Sequence, residues 1–173
     1  MDYVTKPVSR ERIRAYAEIF RDLFDAEPEK PFPVLEALEQ LPDVFEGCTY
    51  RIVEDDELPK SVVAQCVKND GKGFVIEIKR YVYDGARYRR IGAYLGFILH
   101  EICHIYMYEL GYTPCLQRSF DKETPLYCSV EWQVKALTGE VAMPYEETKN
   151  MGVPEIMKKY NVSKGFAKKR QRY

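Results

Sequence analysis

Residues 91–108, reading IGAYLGFILHEICHIYMY, constrain the fold more than any other part of this 173-residue chain. The stretch is apolar on nearly every side, as expected of a helix buried in the middle of a domain. His100, Glu101 and His104 interrupt it together, and the chain holds only these two histidines. Burying two imidazoles and a carboxylate without partners is costly, so the three should pair with one another, with backbone, or with a metal. Helical residues four apart share a face, and the next residue along is turned by about 100°. The two imidazoles can therefore close on one cation while Glu101 flanks an open coordination position. The alternative is a chance match in a helix with two core histidines. The apolar flanks favour the metal, because one ion partners all three groups.

His100-Glu101-Ile102-Cys103-His104 is an HExxH pattern, whose chemistry is zinc-assisted peptide hydrolysis with the glutamate as general base. Zinc in such a site brings the pKa of its water to about 7. Cys103 lies between the two histidines but need not face the metal, and is expected as a small buried apolar residue. Gly92 and Gly96, four apart, put a smooth strip on the same helix and suggest close approach of another backbone.

A membrane span is not expected here, because the apolar part before His100 falls short of the roughly 20 residues required and charge at a span's centre is costly. The opening MDYVTKPVSRERIR has no apolar core after its charges, so no secretory signal is expected. Five cysteines (Cys48, Cys66, Cys103, Cys115 and Cys128) form an odd set without CxxC spacing, which points to reduced thiols and a cytoplasmic setting. With 46% hydrophobic and 31% charged residues, a single soluble domain over 1–173 is expected. Residues 155–173 carry seven Lys or Arg against one acid, so a net charge of −1 leaves −7 on residues 1–154. This basic helical extension, about 154–173, reads by default as a solvated face, and protein contact or packing is expected of it rather than DNA recognition.

The patterning predicts a helix over 10–25 capped by Ser9, then a Pro-punctuated link, EPEKPFP, and a short helix near 34–41. Strand-like runs follow at 49–54, 61–67 and 73–79, the last two joined by Asn69-Asp70-Gly71-Lys72 as an antiparallel hairpin. The buried helix stops at Gly111. A loop with Pro114 and Pro125 precedes a helix over 130–142, and two short helices close the chain, the last capped by Ser163. The strand over 73–79 is the candidate edge for pairing with an extended peptide.

Two histidines leave a catalytic zinc one protein ligand short, so the third must be a carboxylate or a thiolate. Among the 27 acids, Glu131 is best placed, opening the next long helix; Cys103 and Cys128 are next in line. HEICH followed some thirty residues later by EWQVKALTGEVAMP closely resembles the ImmA/IrrE family of metallo-endopeptidases. KPVSRERIR, VEDDELP, YVYDGARYRR and NVSKGFAKKR also look like that family, so the resemblance covers most of the chain.

The resemblance implies an α+β, zincin-like fold, mostly helical, with a small, largely antiparallel three-stranded sheet beside the metal helix. It implies one zinc on His100, His104 and Glu131, with Glu101 as general base. It also implies a helix-turn-helix (XRE-type) repressor as the protein substrate. A second electrophile is open among Tyr106, Tyr108, Tyr127 and Arg90. The family usually has Asp or Asn four residues after the ligand glutamate, where this chain has Lys135. A lysine cannot accept a histidine's second N–H, but it can pair with Glu131 or another acid and compete with zinc for that carboxylate. A rival reading takes PEIMKKYNVSKGFAKKR as helix, turn and basic helix, making the protein a metal-stabilised DNA- or partner-binding module.

Overall fold

The computed structural model describes residues 3–113 and 125–172. Helix α1 (Arg10–Asp22) begins where the Ser9 hydroxyl accepts the Arg12 N–H, and buries Ile13, Ala17 and Phe20. Helices α2 (Val34–Glu39) and α3 (Leu41–Val44) follow, and then strands β1 (Thr49–Val53), β2 (Ala64–Lys68) and β3 (Phe74–Lys79). Helix α4 (Arg80–Arg89) leads into α5 (Gly92–Glu109), the apolar run. A 3₁₀ turn (Leu126–Cys128) opens α6 (Val130–Ala142), and α7 (Tyr145–Thr148), α8 (Val153–Tyr160) and α9 (Lys164–Arg170) close the chain, with Ser163 capping α9 as expected. The architecture is α+β, dominated by helix.

The sheet departs from the expected pattern. Its order is β1-β3-β2, with β2 antiparallel to β3 but β1 parallel to it, so the sheet is mixed. The hairpin through Asn69-Asp70-Gly71-Lys72 forms as read. The link over 54–63 is long enough to step across the end of β3, and there the buried Lys79 ammonium donates to the Pro59 carbonyl at 3.0 Å. That crossing lets β1 and β2 flank β3. The strand over 73–79 is consequently central and has no free edge; the edge lying against α5 belongs to β2. Helix α4 is not among the elements the patterning predicts. In the fold, a Cβ on Gly85 would sit 2.4 Å from the Tyr94 ring, so the glycine makes room for α5.

The core gathers Ile76 and Ile78 of β3, Ile98, Leu99, Ile102 and Ile105 of α5, and Val134 and Leu137 of α6, all essentially inaccessible. Helix α5 ends in a Schellman motif: Gly111, at φ +76°, donates to Tyr108 O, and the Tyr112 N–H reaches Met107 O. The Lys6 ammonium covers Leu110 O at 3.2 Å, the favourable placement of a cation at a helix C-terminus. Gly92 bears out the expected close approach, since a Cβ there would lie 2.1 Å from the Asn161 carbonyl oxygen; Gly96 faces only the Phe166 ring, at 3.9 Å. No helix among the described residues is long and apolar enough to cross a membrane. Of the loop expected between Gly111 and the next helix, residues 114–124, with Pro114, lie outside the described residues, as does Cys115, while Pro125 leads into the 3₁₀ turn.

Candidate metal centre

Two helices bring three ligand groups to one point. On α5, His100 and His104 present their Nε2 atoms 3.2 Å apart. From α6, Glu131 places Oε1 3.2 Å from His104 Nε2 and Oε2 3.6 Å from His100 Nε2. All three side chains are half-buried, and one donor atom from each lies within 4.8 Å of the others. Tetrahedral zinc with bonds of about 2.0–2.1 Å separates its ligand atoms by about 3.3 Å. The observed spacings fit that geometry. The imidazoles hold the Glu131 carboxyl far below the usual carboxylate range through their hydrogen bonds, as suits a group that must be anionic to bind a cation.

The placement of Glu131 is built by the residues around it. Ser129 caps α6, accepting the Trp132 N–H at 2.9 Å. The N-terminal segment then pairs with the helix start through a Val4–Ser129 bridge, with Thr5 N–H donating to Cys128 O and Val130 N–H to Tyr3 O. Buried Gln133 donates to Lys6 O at 2.8 Å and Tyr127 O at 2.7 Å. Those contacts set the rotation of the first turn that carries Glu131.

Glu101 sits one residue round from His100, toward the sheet. Burial raises its carboxyl pKa, partly offset by the neighbouring imidazoles, while Glu131 adds to the rise; the Cys66 backbone N–H of β2 donates to it. The ladder register explains why that N–H is available. Lys79 N–H to Val63 O and Asn69 N–H to Gly73 O mark the hydrogen-bonded pairs, so the alternating Ala64, Cys66 and Lys68 direct their backbone groups away from β3. Nothing in the sequence marks this contact, because it depends on β2 being the edge.

Cys103 turns away from the metal point. It is wholly buried, hydrogen-bonds Thr138 of α6, and has its thiol pKa pushed up to about 12 by burial. Lys135 pairs with Glu131, Nζ to Oε2 at 3.4 Å, with its side chain 64% exposed. Of the candidate electrophiles, Tyr106 packs between Phe20 and Phe45 in the core, its hydroxyl without a hydrogen-bond partner among the described residues. Tyr108 meets Phe74 edge-on, Tyr127 is half-exposed in the 3₁₀ turn, and Arg90 is the exposed left-handed cap of α4.

No protein-family model matches this chain, and no curated protein matches it.

Proposed function

We propose that the protein is a zinc-dependent endopeptidase. The observation that carries this reading is the arrival of Glu131 from a second helix at the point where His100 and His104 converge, at spacings a tetrahedral cation requires. Two imidazoles and one carboxylate would hold the ion and leave a position for substrate, and zinc suits that donor set. When bound, zinc supplies Lewis-acid polarisation of the scissile carbonyl.

The remaining work falls to the chain's own residues. Glu101 takes a proton from the attacking water and returns it to the leaving amine nitrogen. Its burial favours that role, since a carboxylate with a raised pKa accepts a proton more readily near neutral pH. The Cys66 N–H orients the carboxylate. The open edge of β2 offers backbone donors and acceptors to an extended substrate, so the peptide would lie along β2 beside α5. The resemblance to ImmA/IrrE proteins supports a cognate helix-turn-helix repressor as substrate.

Glu101→Gln tests the assignment against a metal-stabilised binding module. We expect repressor cleavage to fall by about 10²–10⁴-fold with metal content unchanged. Cleavage at the wild-type rate would remove Glu101 from the chemistry.

A further inference from the structure

Beside the metal point lies a cleft of about 710 Å³ that reaches His100 at one end and runs between α5, α6 and α9. Phe97, Trp132 and Phe166 supply its large apolar surface, and Phe97 is 43% exposed although it sits on the most apolar helix of the chain. Gly96 and Gly139 flank the Phe166 ring, and a Cβ on either would stand 3.9 Å from it. The wall from α9 is fixed. Arg170, almost fully buried, donates to Glu140 Oε1 and to Thr148 Oγ1, both at 3.0 Å.

The charge of the lining is one-sided. Arg10, Lys135, Lys169, Arg170 and Arg172 line the cleft, and among the described residues no Asp or Glu does. Glu140 engages Arg170 and Arg10 from behind, and Glu131 engages Lys135. Exposed Lys169 and Arg172 form no ion pair with a described residue and leave the rim at the α9 end positive. An apolar trough with a cationic rim, opening on the metal point, matches a polypeptide whose large apolar side chain is flanked by carboxylates.

We infer that this cleft selects the substrate, taking an aromatic or large aliphatic residue against Phe97, Trp132 and Phe166 while Lys169 and Arg172 bind adjacent Asp or Glu side chains. The inference rests on the peptidase reading and names the substrate class of that same site. It gives the basic C-terminal helix a role as a specificity wall. Extended peptide is favoured over nucleic acid because the trough leads to His100 and has an apolar lining.

Trp132 is the chain's single tryptophan and lines the cleft, so its fluorescence reads occupancy without any catalysis. The full chain carrying Glu101→Gln would be titrated with acetyl-Asp-Glu-Phe-Asp-Glu-amide, its counterpart with Lys at the four acidic positions, and a thymidine oligonucleotide. We expect the acidic peptide to bind at least about tenfold more tightly than the basic one, two screened ion pairs being worth about that factor. In the double variant Lys169→Glu, Arg172→Glu, we expect that preference to vanish, with circular dichroism and metal content unchanged. Equal affinity for the two peptides, an undiminished preference in the double variant, or tighter binding of the oligonucleotide would each overturn the inference. The two readings fail separately. Acidic preference without hydrolysis of any peptide sinks the peptidase and leaves the cleft assignment, whereas hydrolysis indifferent to flanking charge does the reverse.

Discussion

Glu131 answers to three positive or proton-bearing neighbours, the two imidazoles and the Lys135 ammonium, and the balance among them sets how tightly a cation is held. Lys135 Nζ lies 3.4 Å from the same Oε2 that faces His100, so an incoming metal competes with a cation already in place. Because the lysine is largely exposed, the competition is screened and modest. We predict that Lys135→Asp strengthens zinc binding by up to about tenfold, the low end of the range for groups that support metal ligands. Competition titrations against a chromogenic chelator measure it, and unchanged or weaker binding would show that the pairing is incidental. The ligands themselves should behave differently. His100→Ala, His104→Ala and Glu131→Ala each leave two protein donors, and we expect each to lose most of its metal by elemental analysis. Cys103→Ala should retain it, since that thiol faces Thr138 instead.

At the scale of elements, strand β3 carries a charged device across the sheet. Buried Glu77 accepts from Gln65 of β2 at 2.6 Å and from Arg51 of β1, joining all three strands. The Gln65 hydrogen bond, with Arg51, lowers its carboxyl pKa, whereas burial opposes the shift. A depressed folded pKa means stabilisation that is complete above the unfolded carboxylate range and is lost as pH falls through the lowered folded value. We predict that Glu77→Gln costs about 1 kcal/mol at neutral pH, measured by urea denaturation. The difference should shrink steadily below about pH 4.5; a cost independent of pH would assign it to packing. Elements with local signals were legible in the sequence. Ser9 and Ser163 marked helix starts, and α6 fell where its pattern put it. What was hidden depends on contacts between distant segments: the parallel pairing of β1 with β3 requires the link to cross the sheet, and the room that Gly85 of α4 leaves for the Tyr94 ring shows only once α4 packs on α5. The site divides the same way. HExxH shows both histidines and the base because a helix fixes their relation, while the Cys66 contact and the cleft against α9 arise only when β2 and the C-terminal helices dock.

For the molecule as a whole, the basic C-terminus is part of the body. Ile156, Tyr160 and Ala167 are buried, the Tyr160 hydroxyl donates to Pro28 O at 2.9 Å, and Arg170 neutralises the otherwise buried Glu140 together with Arg10 and Arg14. Truncation before Pro154 removes Arg170 from that cluster, a loss of about 3–5 kcal/mol for a broken buried pair. We predict a fall in Tm of about 10 °C or more by scanning calorimetry. No sequence-specific DNA affinity should be lost with it, which gel-shift titrations of intact and truncated protein over a range of salt would check. The Val4–Ser129 bridge has a different bearing, on the order in which this protein is made. It ties residues 125 positions apart, and the segment that steadies Glu131 leaves the ribosome before the histidines, whereas Glu131 leaves after both of them. Closing so long a loop is entropically slow. A nascent chain would thus expose a paired-imidazole half-site well before the carboxylate arrives, so capture of the proposed metal would be a late, maturation-like event that reports completed folding rather than initiating it.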